Sequence, residues 1–346
     1  FMRDGKVLAV HHRGMGDRDR NEPVDSSTIF HWGSITKTLT AIAVMQLRDR
    51  GRLTLDDRVV NYIPELRQVH NPFGSMDGIT IRMLLSHTSG LQDPTWPWDT
   101  AQEWEPFEPT RWEQLVSMMP YMRLRFAPGS RYGYSNPAFI YLARIVEQLS
   151  GDPWSHYVQK NILTPLGLTR SYFGTTPYHL ERYRSNNYTV RDDSAGRVRV
   201  RANGRDFDPG ITIPNGGWNA PLGDLATYAA FLTNASLGDS ALARMYEVVL
   251  RRSTLEEMWR PAMSYGGGDG KQGDSIGLSF FIHPRGEDTI IGHTGSQAGF
   301  RAFLYFNPKT RSVIIVAYNT TNYSRSAPQG ASTAIIDLAR GLLAGS

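Results

Sequence analysis

The sequence predicts an α/β fold of the α+β type, in which an antiparallel β-sheet is flanked by N- and C-terminal helices. Strand-like residues occur at both ends of the chain, and the long stretch between them is helix-periodic and rich in Pro and Gly stops. We therefore expect residues 1–55 and 274–346 to form one discontinuous sheet domain, with residues 56–273 as a large, mostly helical insertion domain. The cleft between the two is the expected site.

The first predicted elements are a hairpin and a helix. Residues 3–6 (Arg-Asp-Gly-Lys) predict a tight turn between a strand that ends near Met2 and a strand over residues 7–12. Apolar residues then recur at helical spacing over residues 35–50, and Gly51 is a natural stop after them. The pattern predicts a buried helix that begins beside a serine.

Ser34 and Lys37 place a hydroxyl and an amine one helical turn apart at the start of that helix. A serine at its free pKa is a poor nucleophile, so acyl transfer needs a base within hydrogen-bond reach. The helix N-terminus adds oriented N–H groups that stabilise a developing oxyanion. The pair therefore indicates a nucleophile and its activating amine, and a surface lysine on an ordinary helix is the simpler alternative.

Two later segments carry further polar groups near the ends of predicted elements. Tyr134 and Asn136 follow a Pro-Gly turn and precede a strongly apolar helical run over residues 139–149, so the tyrosine can face a cleft. Residues 292–296 (Gly-His-Thr-Gly-Ser) have small side chains that let a substrate approach the backbone edge-on. The alternatives are a turn with a stacked tyrosine and a glycine-rich hairpin.

The C-terminal part of the chain supplies most of the predicted sheet. Four runs joined by short turns indicate antiparallel strands, at residues 276–282, 289–292, 300–306 and 312–318. Residues 331–343 then predict a closing helix.

Segments 34–37, 134–136 and 292–296, in this order and at these separations, resemble the motifs of the serine β-lactamase and penicillin-binding-protein superfamily. The likeness is to the branch with class C β-lactamases, DD-peptidases of similar build and β-lactamase-like carboxylesterases, and it runs from about Asp4 to the C-terminal helix. Further landmarks of the family lie at residues 84–91, 164–168, 216–217 and 224–226. There are two departures: Ala220-Pro221 replaces the usual Ser-Thr, and His293 replaces the lysine of the β-lactamases proper.

The resemblance implies a role for each residue of the first two motifs. Ser34 would attack a carbonyl carbon and form an acyl-enzyme. Lys37 and Tyr134 would share the proton transfers, with either of them as the base. Asn136 would hold the lysine and an amide or ester oxygen of the substrate.

The third motif bears on the oxyanion and on the substrate. By resemblance, the backbone N–H groups of Ser34 and Ser296, the latter following Gly295, would form the oxyanion hole. His293 is largely neutral at pH 7 and is a weaker anchor for a carboxylate than a lysine. The expected function is therefore a serine hydrolase that cleaves an ester, amide or peptide bond of a small-molecule or peptide substrate, with β-lactam hydrolysis at most a side activity.

Other functions remain compatible with these motifs. A class C-like β-lactamase or a DD-peptidase uses the same acylation apparatus, and an acyltransferase passes the acyl group to a nucleophile other than water. A lapsed family member acting as a binding or scaffold protein needs no nucleophile. The presence of Ser34, Lys37, Tyr134 and Asn136 together argues against that last possibility.

A tryptophan-rich stretch follows the landmark at residues 84–91. It contains Trp96, Trp98, Trp104 and Trp112. We expect an aromatic wall or lid in which Trp96 and Trp98 contact a large apolar or aromatic group of the substrate. The alternative is an ordered loop whose tryptophans pack on the helical domain.

Composition excludes several other classes of protein. The chain has no cysteine, which removes disulfides, thiol catalysis and thiolate metal sites, and its nine histidines are dispersed, so no metal or other cofactor is expected. The net charge is +4, but the basic residues form no long run, so nucleic acid is not an expected partner. Residues 273–277 match the G-x-S-x-G pattern but lack the strand before and the helix after the serine that a nucleophile elbow needs.

No apolar run reaches the roughly eighteen residues that a membrane-spanning helix needs. The resemblance implies a periplasmic or secreted protein, whose signal peptide is not visible in a chain that opens on Phe1. It also implies that a helix and most of the first strand precede this residue.

Overall fold

The computed structural model describes residues 1–92, 109–266, 273–325 and 331–344. The α-helices are Thr36–Asp49 (α1), Ile81–Leu85 (α2), Trp112–Met118 (α3), Pro137–Ser150 (α4), Trp154–Val158 (α5), Ile213–Gly216 (α6), Leu222–Leu232 (α7), Ser240–Val249 (α8), Arg252–Met258 (α9) and Ala331–Ala344 (α10). The strands are Met2–Arg3 (β1), Lys6–Val7 (β2), Met15–Asp17 (β3), Glu22–Pro23 (β4), Ile29–His31 (β5), Tyr172–Phe173 (β6), Asn187–Asp192 (β7), Val198–Gly204 (β8), Trp218–Pro221 (β9), Met263–Ser264 (β10), Ser275–Ile276 (β11), Phe281–Arg285 (β12), Asp288–Gln297 (β13), Phe300–Asn307 (β14), Ser312–Tyr318 (β15) and Thr320–Asn322 (β16).

The largest sheet joins the two ends of the chain. Its strand order is β10-β11-β12-β13-β14-β15-β1-β2, and neighbouring strands are antiparallel. Met2 pairs with Val313, so the N-terminal hairpin extends a sheet built mainly by the C-terminal strands. The predicted mixed fold with an antiparallel sheet is confirmed, while the domain boundaries near residues 55 and 273 stay predictions.

Smaller sheets lie where mainly helices were expected. Three of them have the orders β16-β7-β8, β5-β9-β6 and β3-β4. Strands β6, β7, β8 and β9 fall inside residues 56–273, so this region is less helical than predicted. Residues 197–201 alternate Arg and Val, which is a strand pattern inside the region predicted as helix and loop.

Several strand bounds also differ from the predicted ones. The strand expected over residues 7–12 is only Lys6–Val7, although backbone hydrogen bonds between Phe1 and both Leu8 and Ala9 continue the pairing for a short distance. The run at residues 276–282 is divided between β11 and β12, with Ser279 at a φ of +72° between them. β13 is longer than residues 289–292 and contains the whole third motif.

The helix α1 lies in the main hydrophobic core. Its residues from Thr36 to Leu47 are buried, and it contacts α4 and α6. α4 begins with Pro137 in its first turn, where a proline costs no hydrogen bond, and ends at Gly151, whose left-handed backbone caps the helix. These two helices fix the positions of the first two motifs relative to each other.

Among the described residues, no helix combines the length and the apolar character that crossing a membrane requires.

Candidate active site

Ser34 lies on a short 3-10 turn, Gly33–Ile35, between β5 and α1. Gly33 has a left-handed backbone, with a φ of +50°, and a Cβ on it would lie 2.8 Å from the backbone nitrogen of Ser296. A Cβ on Gly295 would lie 1.9 Å from the carbonyl oxygen of Trp32 and 3.3 Å from the backbone nitrogen of Ser34. Because neither Gly33 nor Gly295 has a side chain, the turn Gly33–Ile35, here called the serine turn, packs directly against β13.

This contact brings together the two backbone N–H groups that were expected to form an oxyanion hole. The backbone nitrogen of Ser296 lies beside Gly33, and the backbone nitrogen of Ser34 lies beside Gly295. Both N–H groups are therefore at the place where the serine turn meets β13. The side chain of Ser296 is exposed, so the end of β13 is open to solvent at this point. The arrangement can present two N–H donors to one oxygen atom of a ligand.

Lys37 is fully buried, and its amine faces three oxygen atoms. Its Nζ lies 3.1 Å from Oγ of Ser34, 2.6 Å from Oδ1 of Asn136 and 2.8 Å from the carbonyl oxygen of Asn215. The Nδ2 group of Asn215 also donates to Oδ1 of Asn136 at 3.3 Å. The structure thus places the first motif and the asparagine of the second motif within one hydrogen-bond network.

Tyr134 lies over the same amine. Nζ of Lys37 is 4.9 Å from the centroid of the tyrosine ring. The ring stacks on His87, with centroids 4.5 Å apart and planes 24° apart, and it is tilted toward His293 at 6.3 Å. The tyrosine is therefore held between two imidazoles while part of it remains exposed.

His87 also contacts this site, although the three motifs do not include it and it lies in the family landmark at residues 84–91. It is completely buried, with a φ of +56°, and its Nδ1 accepts the backbone N–H of Ser135 at 3.0 Å. The proton of the neutral ring is therefore on Nε2. Burial, and then the charge of Lys37 and the proximity of His293, hold the pKa of His87 well below its usual range.

His293 is neutral for a similar reason. It is buried under Tyr134, and burial together with the charge of Lys37 lowers its pKa from 6.5 to about 3. Nδ1 lies 2.5 Å from the carbonyl oxygen of Thr294, so this nitrogen carries the proton. At neutral pH the third motif therefore presents an uncharged imidazole in the position where the β-lactamases proper have a lysine.

His31 and Gln297 form a further link that the motifs did not indicate. His31 is buried on β5, with Nδ1 2.8 Å from Oδ1 of Asn219 and Nε2 3.0 Å from Oε1 of Gln297. Gln297 directly follows Ser296, so this bond attaches the end of β13 to the strand that precedes the nucleophile.

The structure describes Trp112 of the tryptophan-rich stretch. Trp96 and Trp98 lie outside the described residues, as does Trp104. Trp112 begins α3, where its ring meets Tyr141 edge-on at 6.3 Å and lies 5.2 Å from the guanidinium carbon of Arg144. For this one tryptophan, the alternative of packing on the helical part of the chain is the correct one.

Two other candidate chemistries have a plain structural outcome. Ser275, in the G-x-S-x-G segment, is buried on β11 and pairs with Ile282 of the next strand, so no helix follows it. Among the described residues, no three His, Asp or Glu side chains gather in a way that could hold a metal ion.

Comparison with known proteins agrees with this geometry. The Beta-lactamase family model matches residues 1–337. The chain is 24% identical to Protein flp of Staphylococcus aureus over 326 residues, which are 92% of this chain and 58% of that protein. It is 30% identical to Esterase EstB of Burkholderia gladioli over 236 residues, which are 62% of this chain and 59% of the esterase.

The same fold occurs in a known structure. The octameric penicillin-binding protein homologue from Pyrococcus abyssi has a TM-score of 0.76 at 26% identity, over 98% of this chain and 72% of that one. The chain thus spans less than two thirds of Protein flp and of Esterase EstB, but most of the structural relative. A family model that matches nearly the whole chain, on a fold shared with a penicillin-binding protein homologue, establishes that this chain belongs to the β-lactamase family.

Proposed function

We propose that the protein is a serine hydrolase of the esterase or peptidase type, which cleaves an ester, amide or peptide bond through an acyl-enzyme on Ser34. The observation that carries the proposal is the position of Nζ of Lys37, buried and 3.1 Å from Oγ of Ser34. Support also comes from the esterase among the relatives of the chain.

The proposed acylation begins with the proton of Ser34. Lys37, as the neutral amine, or Tyr134, as the phenolate, accepts that proton while Oγ forms a bond to the carbonyl carbon of the substrate. The electron pair of the C=O bond moves to its oxygen, which the N–H groups of Ser34 and Ser296 stabilise. The tetrahedral intermediate then expels the alcohol or amine, which receives the proton from the same Lys37–Tyr134 pair.

Deacylation repeats these steps with water as the nucleophile. The pair takes a proton from water, the hydroxide oxygen bonds to the acyl carbon, and Oγ of Ser34 leaves with the returned proton. Asn136 and the carbonyl of Asn215 hold Nζ of Lys37 in place throughout, because each lies within 2.8 Å of it.

The neutral His293 supports esters and amides over β-lactam antibiotics. A lysine attracts an anionic group of the substrate at any pH below about 10, whereas an imidazole with a pKa of about 3 carries no charge at neutral pH. We therefore propose that β-lactam hydrolysis is at most a side activity. A periplasmic or secreted location is part of the same proposal and rests only on the likeness to penicillin-binding proteins.

The test combines a covalent probe with a substrate panel. A fluorophosphonate should add one mass equivalent on Ser34 by peptide mapping, and Ser34→Ala should prevent the addition. Short-chain p-nitrophenyl esters and D-amino-acid amides should be hydrolysed with at least about ten-fold higher kcat/KM than nitrocefin. No label and no turnover would indicate a binding protein, and equal or better turnover of nitrocefin would indicate a β-lactamase.

A further inference from the structure

A group of aromatic side chains continues outward from Tyr134. Tyr132, Tyr265 and Phe281, here called the aromatic cluster, have ring centroids 4.8 Å (Tyr132–Tyr265), 5.7 Å (Tyr265–Phe281) and 6.4 Å (Tyr132–Phe281) apart. Tyr265 is 36% exposed, and the other two are partly exposed. The rings pack in ordinary aromatic geometry and still leave apolar surface open to solvent.

The aromatic cluster meets the candidate active site at two points. The ring of Phe281 lies 5.0 Å from that of His293, and the ring of Tyr132 lies 6.0 Å from that of His87. Both histidines contact the ring of Tyr134. One aromatic surface therefore runs from the proposed proton donor to Tyr265.

The position of the aromatic cluster decides which part of a substrate can reach it. A leaving group must lie beside its proton donor, here Tyr134 or Lys37, while the carbonyl oxygen lies at the N–H of Ser296. Phe281 pairs with Gly292, four residues before Ser296, which is roughly 13 Å along the strand. The cluster is thus on the leaving-group side, several bonds beyond the bond that breaks.

The surface of the aromatic cluster suits an uncharged group. In the described part of the chain, every ring contact of its three members is to another aromatic ring or to a histidine. His87 and His293 are both neutral at pH 7. An aryl ring can pack on these rings, whereas a carboxylate gains no ionic partner from them. The charge of Asp274 acts on Tyr265 more strongly than the opposite charge of Arg340, which also disfavours an anion here.

Hydrogen bonds behind the aromatic cluster fix the backbone of Tyr265 and the imidazole of His283, on which Phe281 stacks. The backbone N–H of Tyr265 donates to the carbonyl oxygen of Asp274, whose carboxylate lies 2.7 Å from Nδ1 of His283. Nε2 of His283 accepts from Arg340 of α10 at 3.0 Å, and its ring stacks near that of Phe281. A surface fixed in this way loses little freedom when a ligand binds.

We propose that the aromatic cluster is a subsite for an uncharged aryl group on the leaving alcohol or amine of the substrate. The proposal rests on the proposed serine hydrolase function and adds the class of leaving group to it. It predicts that substrates with an aryl leaving group are acylated faster, which kcat/KM reports. It predicts no comparable gain from an aryl group in the acyl part of the substrate.

The test compares benzyl acetate with methyl acetate, which share one acyl group and have leaving alcohols of similar basicity. We expect the kcat/KM ratio of benzyl to methyl ester to be at least about ten, because a buried ring adds apolar contact. In Phe281→Leu the ratio should fall below about three. Tyr265→Phe retains the ring and should retain the ratio, as should Tyr178→Leu, which alters a remote side chain that is 88% exposed.

The other outcomes distinguish the two proposals. A ratio near one in the wild type, or a ratio that Phe281→Leu leaves unchanged, overturns the subsite even if Ser34 is labelled by a fluorophosphonate. A larger gain for methyl phenylacetate than for benzyl acetate also overturns it, since the ring then binds through the acyl part. If neither ester is cleaved and Ser34 is not labelled, the hydrolase function itself fails and the subsite fails with it.

Discussion

At the scale of single residues, the candidate site depends on one amine. Nζ of Lys37 faces Ser34, Asn136 and the carbonyl of Asn215, and all three contacts are 3.1 Å or shorter. An ammonium group has three N–H donors, so this set of acceptors satisfies it completely. In the proposed mechanism, Lys37 acts as the base only as the neutral amine, so on that route it gives up one of these donors and accepts the proton of Ser34, whereas on the other route Tyr134 accepts the proton.

Replacing the proposed nucleophile tests the site directly. We expect Ser34→Ala to lower kcat by several orders of magnitude, approaching the roughly million-fold loss seen when a serine nucleophile is removed from a protease. The measurement is initial rate with a p-nitrophenyl ester, and a thermal unfolding midpoint near that of the wild type is the control. Retained activity would place the chemistry on another residue.

Tyr134 and Lys37 are expected to act as one proton-handling unit. Tyr134→Phe keeps the ring stacked on His87 and deletes only the hydroxyl, while Lys37→Ala deletes the amine. Each should lower kcat by at least about a hundred-fold, the lower end for general acid–base catalysis, and the double mutant should be little worse than the poorer single mutant. Additive losses, or a normal rate for Tyr134→Phe, would mean that the tyrosine only packs.

At the scale of elements, the important contact is between the serine turn and β13. Gly295→Ala would place a Cβ 1.9 Å from the carbonyl oxygen of Trp32, so the two backbones must separate. We expect kcat/KM to fall by at least about a hundred-fold as the N–H of Ser296 moves, and the free energy of unfolding to fall by about 1–3 kcal/mol.

A second glycine serves as the control for that prediction. Gly223 lies in α7, and a Cβ there would meet no atom within 4 Å. Gly223→Ala should leave kcat/KM unchanged and leave the unfolding midpoint the same or slightly higher, because alanine lowers the entropy of the unfolded chain. Normal activity in Gly295→Ala would mean that the close contact of Gly295 with the serine turn is not needed for the proposed oxyanion hole.

Elements with strong periodicity could be predicted from the sequence. The helix expected over residues 35–50 is Thr36–Asp49, and the strand expected at residues 312–318 is Ser312–Tyr318. β13 was predicted too short, because Gly292 and Gly295 weaken a strand pattern. Here those glycines allow close backbone approach, and the ladder to β14 supplies the pairing that the local sequence does not specify.

The site could be predicted only as far as its motifs. Ser34, Lys37 and Asn136 lie within hydrogen-bond distance of one another through the amine, as their motif positions suggested. The stack of Tyr134 on His87 depends on a left-handed backbone at the histidine and on tertiary packing, which no local pattern encodes. The contact between Lys37 and the carbonyl oxygen of Asn215 could not be predicted either, because every residue type has a backbone carbonyl.

At the scale of the whole molecule, buried histidines make the stability of the fold depend on pH. Burial, and then the charge of Arg184, lowers the pKa of His31 from 6.5 to about 4, and burial followed by the charge of Arg340 has a similar effect on His283. A histidine with a lowered folded-state pKa binds fewer protons in the folded chain than in the unfolded one. Its contribution to stability is therefore complete above pH 6.5 and is lost as the pH falls toward 4.

We accordingly expect acid to weaken the fold well before its carboxylates titrate. His31 alone accounts for about 3 kcal/mol between pH 6.5 and 4, at about 1.4 kcal/mol per pKa unit. Urea unfolding at pH 7.0, 5.5 and 4.5 should show a steady fall in midpoint, and the exposed-site variant His179→Gln should follow the same curve. Burial raises the pKa of the Asp224 carboxyl, which opposes this trend at that site. A flat profile between pH 7 and 4.5 would contradict the prediction.

The link between His31 and Gln297 has a consequence for how the protein is made. These residues are 266 positions apart, so the end of β13, with Ser296 and Gln297, leaves the ribosome long after His31 and the serine turn that follows it. At about 5–20 residues per second, the interval lasts on the order of tens of seconds. During that time the nascent chain contains Ser34 and Lys37 but lacks the N–H of Ser296, the second donor of the proposed oxyanion hole. In the proposed mechanism, the nascent chain therefore cannot react before Ser296 has been synthesised.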